Sequence, residues 1–181
     1  MIDYVASDLH LGHNNIIKYC NRPFESVDDM NKKLIYNWNS MVNEEDTVLY
    51  IGDLTLGNAQ RSINYLKKLN GNITFIKGNH DKITNNKKTD FIIHNSTYIQ
   101  QEGINFFVKH HTEEKKEGKY ILQGHTHNND LSDYPFYNPS KRRFNVSVEL
   151  IGYTPIPFED ILYIIKNNKN NKIKRYTKHI D

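Results

Sequence analysis

The stretch ITFIKGNHDK, residues 73–82, decides how this chain is read. Ile73, Phe75 and Ile76 give it the apolar, partly alternating pattern of a strand with a buried face. The run then passes straight into Gly78, Asn79, His80 and Asp81. A solvent loop scatters an amide, an imidazole and a carboxylate singly. Here they stand together at the mouth of a core strand, the edge where α/β sheets form their sites.

The same ending recurs along the chain. YVAS is followed by Asp8, Leu9 and His10, and VLYIG by Asp53. FFVK is followed by His110 and His111, and YILQG by His125, Thr126 and His127. Around these endings, IDYVAS, TVLYIG, NITFIKG, INFFVK, KYILQG and RFNVSVEL read as strands. SVDDMNKKLIYNWNSMV reads as a helix, with Met30, Leu34, Trp38, Met41 and Val42 on one face and Ser26 as N-cap. NAQRSINYLKKLNG reads as a second helix stopped near Gly71, and PFEDILYIIKNN as a last one with Pro157 near its start. The order is strand, helix, strand, helix, strand, then mainly strands. That predicts parallel βαβ units first and adjacent strands after them.

The 181 residues suffice for one domain with a real core, and no linker divides them, so a single domain over 1–181 is expected. Hydrophobic residues make up 37% and charged residues 25%, which together with the recurrent strand patterns excludes a disordered chain. No apolar run approaches the ~20 residues of a membrane span. MIDYVASDLH lacks the basic and apolar regions of a signal peptide. Cys20 is the single cysteine, so no intrachain disulfide can form and a reducing cytoplasm fits. The net charge of +3 is concentrated in KNNKNNKIKRYTKHID, so residues 167–181 are expected to be a basic, frayed tail.

Imidazole and carboxylate without thiolate suit Mn, Fe or Zn. The ligands are too many for one ion. Two ions about 3.5–4 Å apart can share a carboxylate and a hydroxide and clamp an in-line attack on phosphorus. Glycines before Asp53, Asn79 and His125 would let the backbone pass close to ions or phosphate.

SDLH, IGD, GNHD, VKHH and GHTH, in this order, resemble the motifs of the calcineurin-like metallophosphoesterases over nearly the whole chain. The resemblance implies an α/β/β/α sandwich of four layers, with two mixed sheets flanked by helices. It implies a phosphohydrolase with two divalent ions, Mn foremost, with Fe, Zn or Ni as alternatives. Asp8, His10 and His127 would bind the first ion, Asp53 would bridge, and Asn79, His110 and His125 would bind the second. A hydroxide between the ions would attack phosphorus, with His80 as acid at the leaving group, oriented by Asp81. GDLTLG lacks the Asp-Arg-Gly extension of phosphoprotein phosphatases, which favours a phosphodiester, nucleotide or nucleic-acid end as substrate. A phosphomonoesterase and a non-catalytic binding scaffold are the alternatives on the same fold.

Four further residues are candidates for substrate contact: His13, Arg22, Arg142 and Arg143. Arg22 could equally tie down a loop. Tyr134, Phe136 and Tyr137 could wall a nucleotide base or merely pack. Glu149 lies in NVSVELIGYTPI, a run similar to bacterial and phage members of the family, and is read as structural. His94 and His179 are read as surface residues.

Overall fold

The computed structural model describes residues 1–84 and 91–167. Residues 168–181 lie outside this range, and with them His179 and all but the first residue of the expected tail.

Two five-stranded sheets form the body. The first has the order β10-β1-β2-β3-β4, with β1 Tyr4–Ala6, β2 Thr47–Ile51, β3 Asn72–Ile76, β4 Ile92–His94 and β10 Ile156–Pro157. β1 to β4 run parallel, and β10 closes the β1 edge antiparallel. The second has the order β5-β6-β7-β9-β8, with β5 Ser96–Gln101, β6 Ile104–Lys109, β7 Tyr120–Gln123, β8 Tyr137–Asn138 and β9 Arg143–Asn145. β6, β7 and β9 are parallel and both edges antiparallel. One contiguous apolar core contains residues of both sheets and of the helices. The architecture is an α/β sandwich of two mixed sheets with flanking helices. No helix among the described residues is long and apolar enough to cross a membrane.

Local chemistry sets the helices. α2, Val27–Met41, starts where the Ser26 hydroxyl accepts from the Asp29 amide at 3.1 Å, and Asp28 and Asp29 favour its positive end. It buries Met30, Leu34 and Trp38, and the indole Nε1 donates to the Asn70 carbonyl at 2.9 Å. α3, Ala59–Leu66, is capped by Asn58 and buries Ile63 and Leu66. It ends at Leu66 with Lys67 as C-cap, so the stop expected at Gly71 comes earlier. α4, Phe158–Asn167, follows β10 directly.

RFNVSVEL is a strand only at its start. After Asn145 the chain makes an isolated bridge from Ser147 to Ser7 and then a 3₁₀ turn at Val148–Leu150. Val148, Glu149 and Leu150 are all buried, so two-residue alternation fails there. That bridge ties the end of β1 in one sheet to the segment beyond β9 in the other, and brings their C-terminal ends together.

Candidate metal centre

Every ligand expected from the sequence lies just past a strand end. Asp8 follows β1, Asp53 follows β2, Asn79 follows β3, His110 follows β6 and His125 follows β7. Asp8, His10, Asp53, His125 and His127 have φ of 61°, 50°, 56°, 72° and 48°, the left-handed region that non-glycine residues avoid. Five such residues converging on one place mark backbone strain held by the surrounding fold, the pattern of a functional site.

The first group is Asp8, His10 and His127, whose ligand atoms lie within 4.8 Å of one another. Asp8 Oδ1 is 3.9 Å from His10 Nε2 and 3.8 Å from His127 Nε2. Its other oxygen is occupied: Oδ2 accepts from the Ser7 hydroxyl, from Ser147 Oγ at 2.9 Å and from the His125 amide at 3.0 Å. The carboxylate is thereby aimed. Ser7 and Ser147 were not singled out in the sequence, although Ser7 directly precedes the first ligand.

The second group is Asp53, His110 and His125, again within 4.8 Å. Asn79 joins it, with Oδ1 at 2.9 Å from His125 Nδ1. Asp53 stands between the groups, its Oδ2 at 3.3 Å from His110 Nε2 and 3.5 Å from His10 Nε2. His110 Nδ1 faces the Ile51 carbonyl at 2.7 Å, so Nδ1 carries the proton in the neutral ring and Nε2 presents its lone pair inward.

These donors fit divalent ions. His10 Nε2 and His110 Nε2 are buried and have no hydrogen-bond partner. Leaving a buried polar atom unsatisfied costs about 1–3 kcal/mol, which coordination would relieve. Close backbone approach is also built in. A Cβ on Gly78 would lie 2.2 Å from Asp53 Oδ1, and one on Gly124 would lie 2.1 Å from Asp8 Oδ2. The glycines therefore let the chain pass against the ligand carboxylates themselves, rather than only against ions or phosphate.

A buried pair behind the site fixes His127. Glu149 Oε1 accepts from His127 Nδ1 at 3.0 Å and from Arg22 Nε and Nη2 at 2.8 and 2.7 Å. Arg22 also donates to the Asp8 and Leu9 carbonyls at 2.7 and 2.8 Å. Its guanidinium is buried and committed, so Arg22 is removed from the substrate contacts and holds the Asp8 loop instead. Cys20, His127 and Glu149 form a third close group, but Arg22 already neutralises its carboxylate. Glu149→Gln is expected to weaken the first metal position about 10- to 100-fold, because the carboxylate fixes the His127 tautomer. A Mn²⁺ titration in which no binding constant changes would show that the Arg22–Glu149 pair is only structural.

Asp81 also departs from expectation. Its Oδ2 accepts from the Asp53 and Gly78 amides at 2.7 and 2.8 Å, and its Oδ1 from the Leu54 amide at 3.0 Å. The carboxylate pins two ligand loops together and does not orient the His80 ring. The carboxylate facing that ring is Asp53, whose Oδ2 is 3.8 Å from His80 Nε2. Asp53 Oδ1 accepts from the His80 amide at 2.9 Å.

His13 lies on the same rim, its Nδ1 at 3.5 Å from His10 Nδ1. His110 occupies the ligand group, whereas the His111 ring lies tilted against His125 at 4.4 Å between centroids, with its Nε2 3.2 Å from Glu113 Oε1. Arg142 is exposed and lies over Tyr120 at the opposite end of β7, so it is corrected to a residue remote from the ligands. Arg143 is buried against Tyr134, in the wall beside His111 rather than among the ligands. Phe136 and Tyr137 pack on Phe144 as core.

Charge in the metal-free site is uneven. Burial pushes His10 down to about 3. Burial would lower His110 too, but the nearby Asp53 and Asp8 carboxylates and the Ile51 carbonyl push it up to about 9. His127 is likewise disfavoured by burial yet pushed up to about 11 by Asp8, Cys20 and Glu149. Burial opposes ionisation of Asp53, but His110 holds its carboxyl well below the usual range. At pH 7.5 His110 and His127 therefore each carry an extra proton, which a metal ion must displace. Mn²⁺ binding is expected to release about two protons, and affinity to fall as pH drops from 9 toward 6. Calorimetry in buffers of different ionisation enthalpy measures this. Uptake independent of buffer would mean neutral rings in the metal-free protein.

The family model described as calcineurin-like phosphoesterase matches residues 4–173. An uncharacterized protein of Methanocaldococcus jannaschii is 41% identical over 171 residues, 92% of each chain. The gene 66 protein of Mycobacterium phage L5 is 32% identical over 81 residues, 43% of this chain and 39% of that one. A crystal structure of a protein of unknown function from Aquifex aeolicus superposes with a TM-score of 0.64 at 21% identity, over 89% of this chain and 97% of that one.

Proposed function

We propose that this chain, which belongs to the calcineurin-like phosphoesterase family, hydrolyses a phosphodiester or nucleotide-type ester at a centre of two divalent ions. Family membership implies metal-dependent phosphoester hydrolysis. The observation that carries the reading to two ions is Asp53, one oxygen of which faces His10 and His110 at 3.5 and 3.3 Å from the two ligand groups. Asp8, His10 and His127 would hold one ion, Asn79, His110 and His125 the other, and Asp53 both. When bound, such a pair supplies an activated hydroxide and positive charge against the non-bridging phosphoryl oxygens.

The remaining roles belong to the chain. Ile51 and Glu149 hold His110 and His127 in the ligating tautomer. His80 stands at the rim with its side chain 42% exposed, where a leaving oxygen can reach Nε2 and take its proton. Asp81, spent on three backbone amides, keeps the Asp53 and Asn79 loops in register.

Hydrolysis of a bis-aryl phosphodiester and of the matching aryl phosphomonoester tests the proposal, after stripping with chelator and adding back Mn²⁺. Metal-dependent cleavage that favours the diester is expected. A monoester preference would make the chain a phosphatase. No cleavage and no bound ions would make it a binding scaffold.

A further inference from the structure

Beside the second ligand group opens a cavity of about 530 Å³, lined by Asn79, His110 and His125 of that group and by Lys77, Lys82 and Lys109. That is room for a nucleotide-sized group. The lysines come from three places in the fold: just past β3, past the GNHD turn and at the last position of β6. None has an ion-pair partner among the described residues, whereas Lys33, Lys116, Lys141 and Lys166 all do. Among the described residues the only acid in the lining is Asp81, and its carboxylate is turned into the backbone. Cations gathered in a concave site focus a positive potential on whatever enters. Lysine offers mobile point charges, suited to a phosphate reached from several directions.

We propose that this cavity receives a second phosphate of the substrate while the first lies at the metal centre. The inference rests on the hydrolase reading and narrows it to substrates carrying at least two phosphates, free in a nucleoside bisphosphate or consecutive along a nucleic-acid strand. Neither the centre nor His80 needs the second phosphate. It is a specificity element, and Lys77, Lys82 and Lys109 are its positioning residues.

The test measures binding and turnover separately. A nucleoside bisphosphate, the corresponding monophosphate and a short single-stranded oligonucleotide are titrated into the full chain loaded with Mn²⁺ and carrying His80→Ala, which slows turnover during the measurement. The bisphosphate is expected to bind roughly five- to tenfold more tightly than the monophosphate. Lys77→Glu and Lys109→Glu should each erase that preference, whereas Lys33→Ala on α2 should leave it unchanged. A preference shown only by the oligonucleotide assigns the second phosphate to a strand, and each lysine lost should then reduce the salt slope by about 0.7. With His80 intact, the kcat/KM ratio of the bisphosphorylated substrate to a simple diester should fall in the same lysine variants. Equal binding of bis- and monophosphate, unaltered by Lys109→Glu, overturns the proposal even if simple diesters are cleaved. A lysine-dependent preference without any turnover keeps the cavity's role and overturns the hydrolase reading instead.

Discussion

Asp53→Asn should lose both ions at once, and activity with them, by roughly a thousandfold or more, at least what removing one transition-state donor costs elsewhere. The argument is geometric. Oδ2 of Asp53 is 3.3 Å from His110 Nε2 and 3.5 Å from His10 Nε2, and those two nitrogens belong to different ligand groups. An asparagine can offer one neutral oxygen, but it also brings an NH₂ group that donates where lone pairs converge. The site would lose one of its two buried carboxylates and the charge that offsets two cations. Oδ1 accepts from the His80 amide at 2.9 Å, so an amide oxygen there can preserve the backbone turn. The variant should therefore keep its circular dichroism and lose its metals. Metal analysis after gel filtration decides: two ions retained per chain would rule out a shared carboxylate. One retained ion would place Asp53 in a single group.

The residues that the structure gathers into the two groups were legible in the sequence because each sits one to four residues past a strand whose apolar pattern is strong. β-branched and aromatic residues in YVA, TVLYI and NITFI mark where the strands stop, and the chemistry starts there. What was not legible follows from physics that a one-dimensional pattern does not carry. β8 and β10 have two residues each and exist only because neighbours pair with them. β5 is an edge strand whose pattern, STYIQQ, is mostly polar and exposed. α1, Asn14–Tyr19, buries only Ile16, too little for a periodic signal. Arg22 could not be assigned because the groups that commit it, Glu149 and two carbonyls, include one 127 residues away. Asp81 looked like a partner of its neighbour His80, yet a strand end turns consecutive side chains apart, and Asp81 faces inward. The three cavity lysines are spread from residue 77 to residue 109, and only the meeting of β3 and β6 ends makes them one patch.

His80→Ala should separate chemistry from metal binding. Within the two groups the ring faces Asp53 Oδ2 at 3.8 Å and meets the His10 ring edge-on at 5.4 Å between centroids, and its side chain is 42% exposed, whereas Asp53 and His10 are buried. Alanine retains the amide that donates to Asp53 Oδ1, so the Asp53 carboxylate keeps its orientation. Metal content should be unchanged while turnover falls about 10²- to 10⁴-fold, the usual contribution of a positioned general acid. The loss should depend on the leaving group. An aryl oxide departs as a stable anion and needs little help, so a nitrophenyl ester should lose least. An alkoxide leaving from a ribose or a simple alcohol must be protonated, so an alkyl ester should lose most. Equal losses across both esters would place His80 in charge stabilisation of the phosphoryl group rather than in proton transfer. Wild-type turnover of the alkyl ester would remove it from the mechanism. If metal were lost as well, the ring would be holding Asp53 in place, and the 3.8 Å contact would be structural.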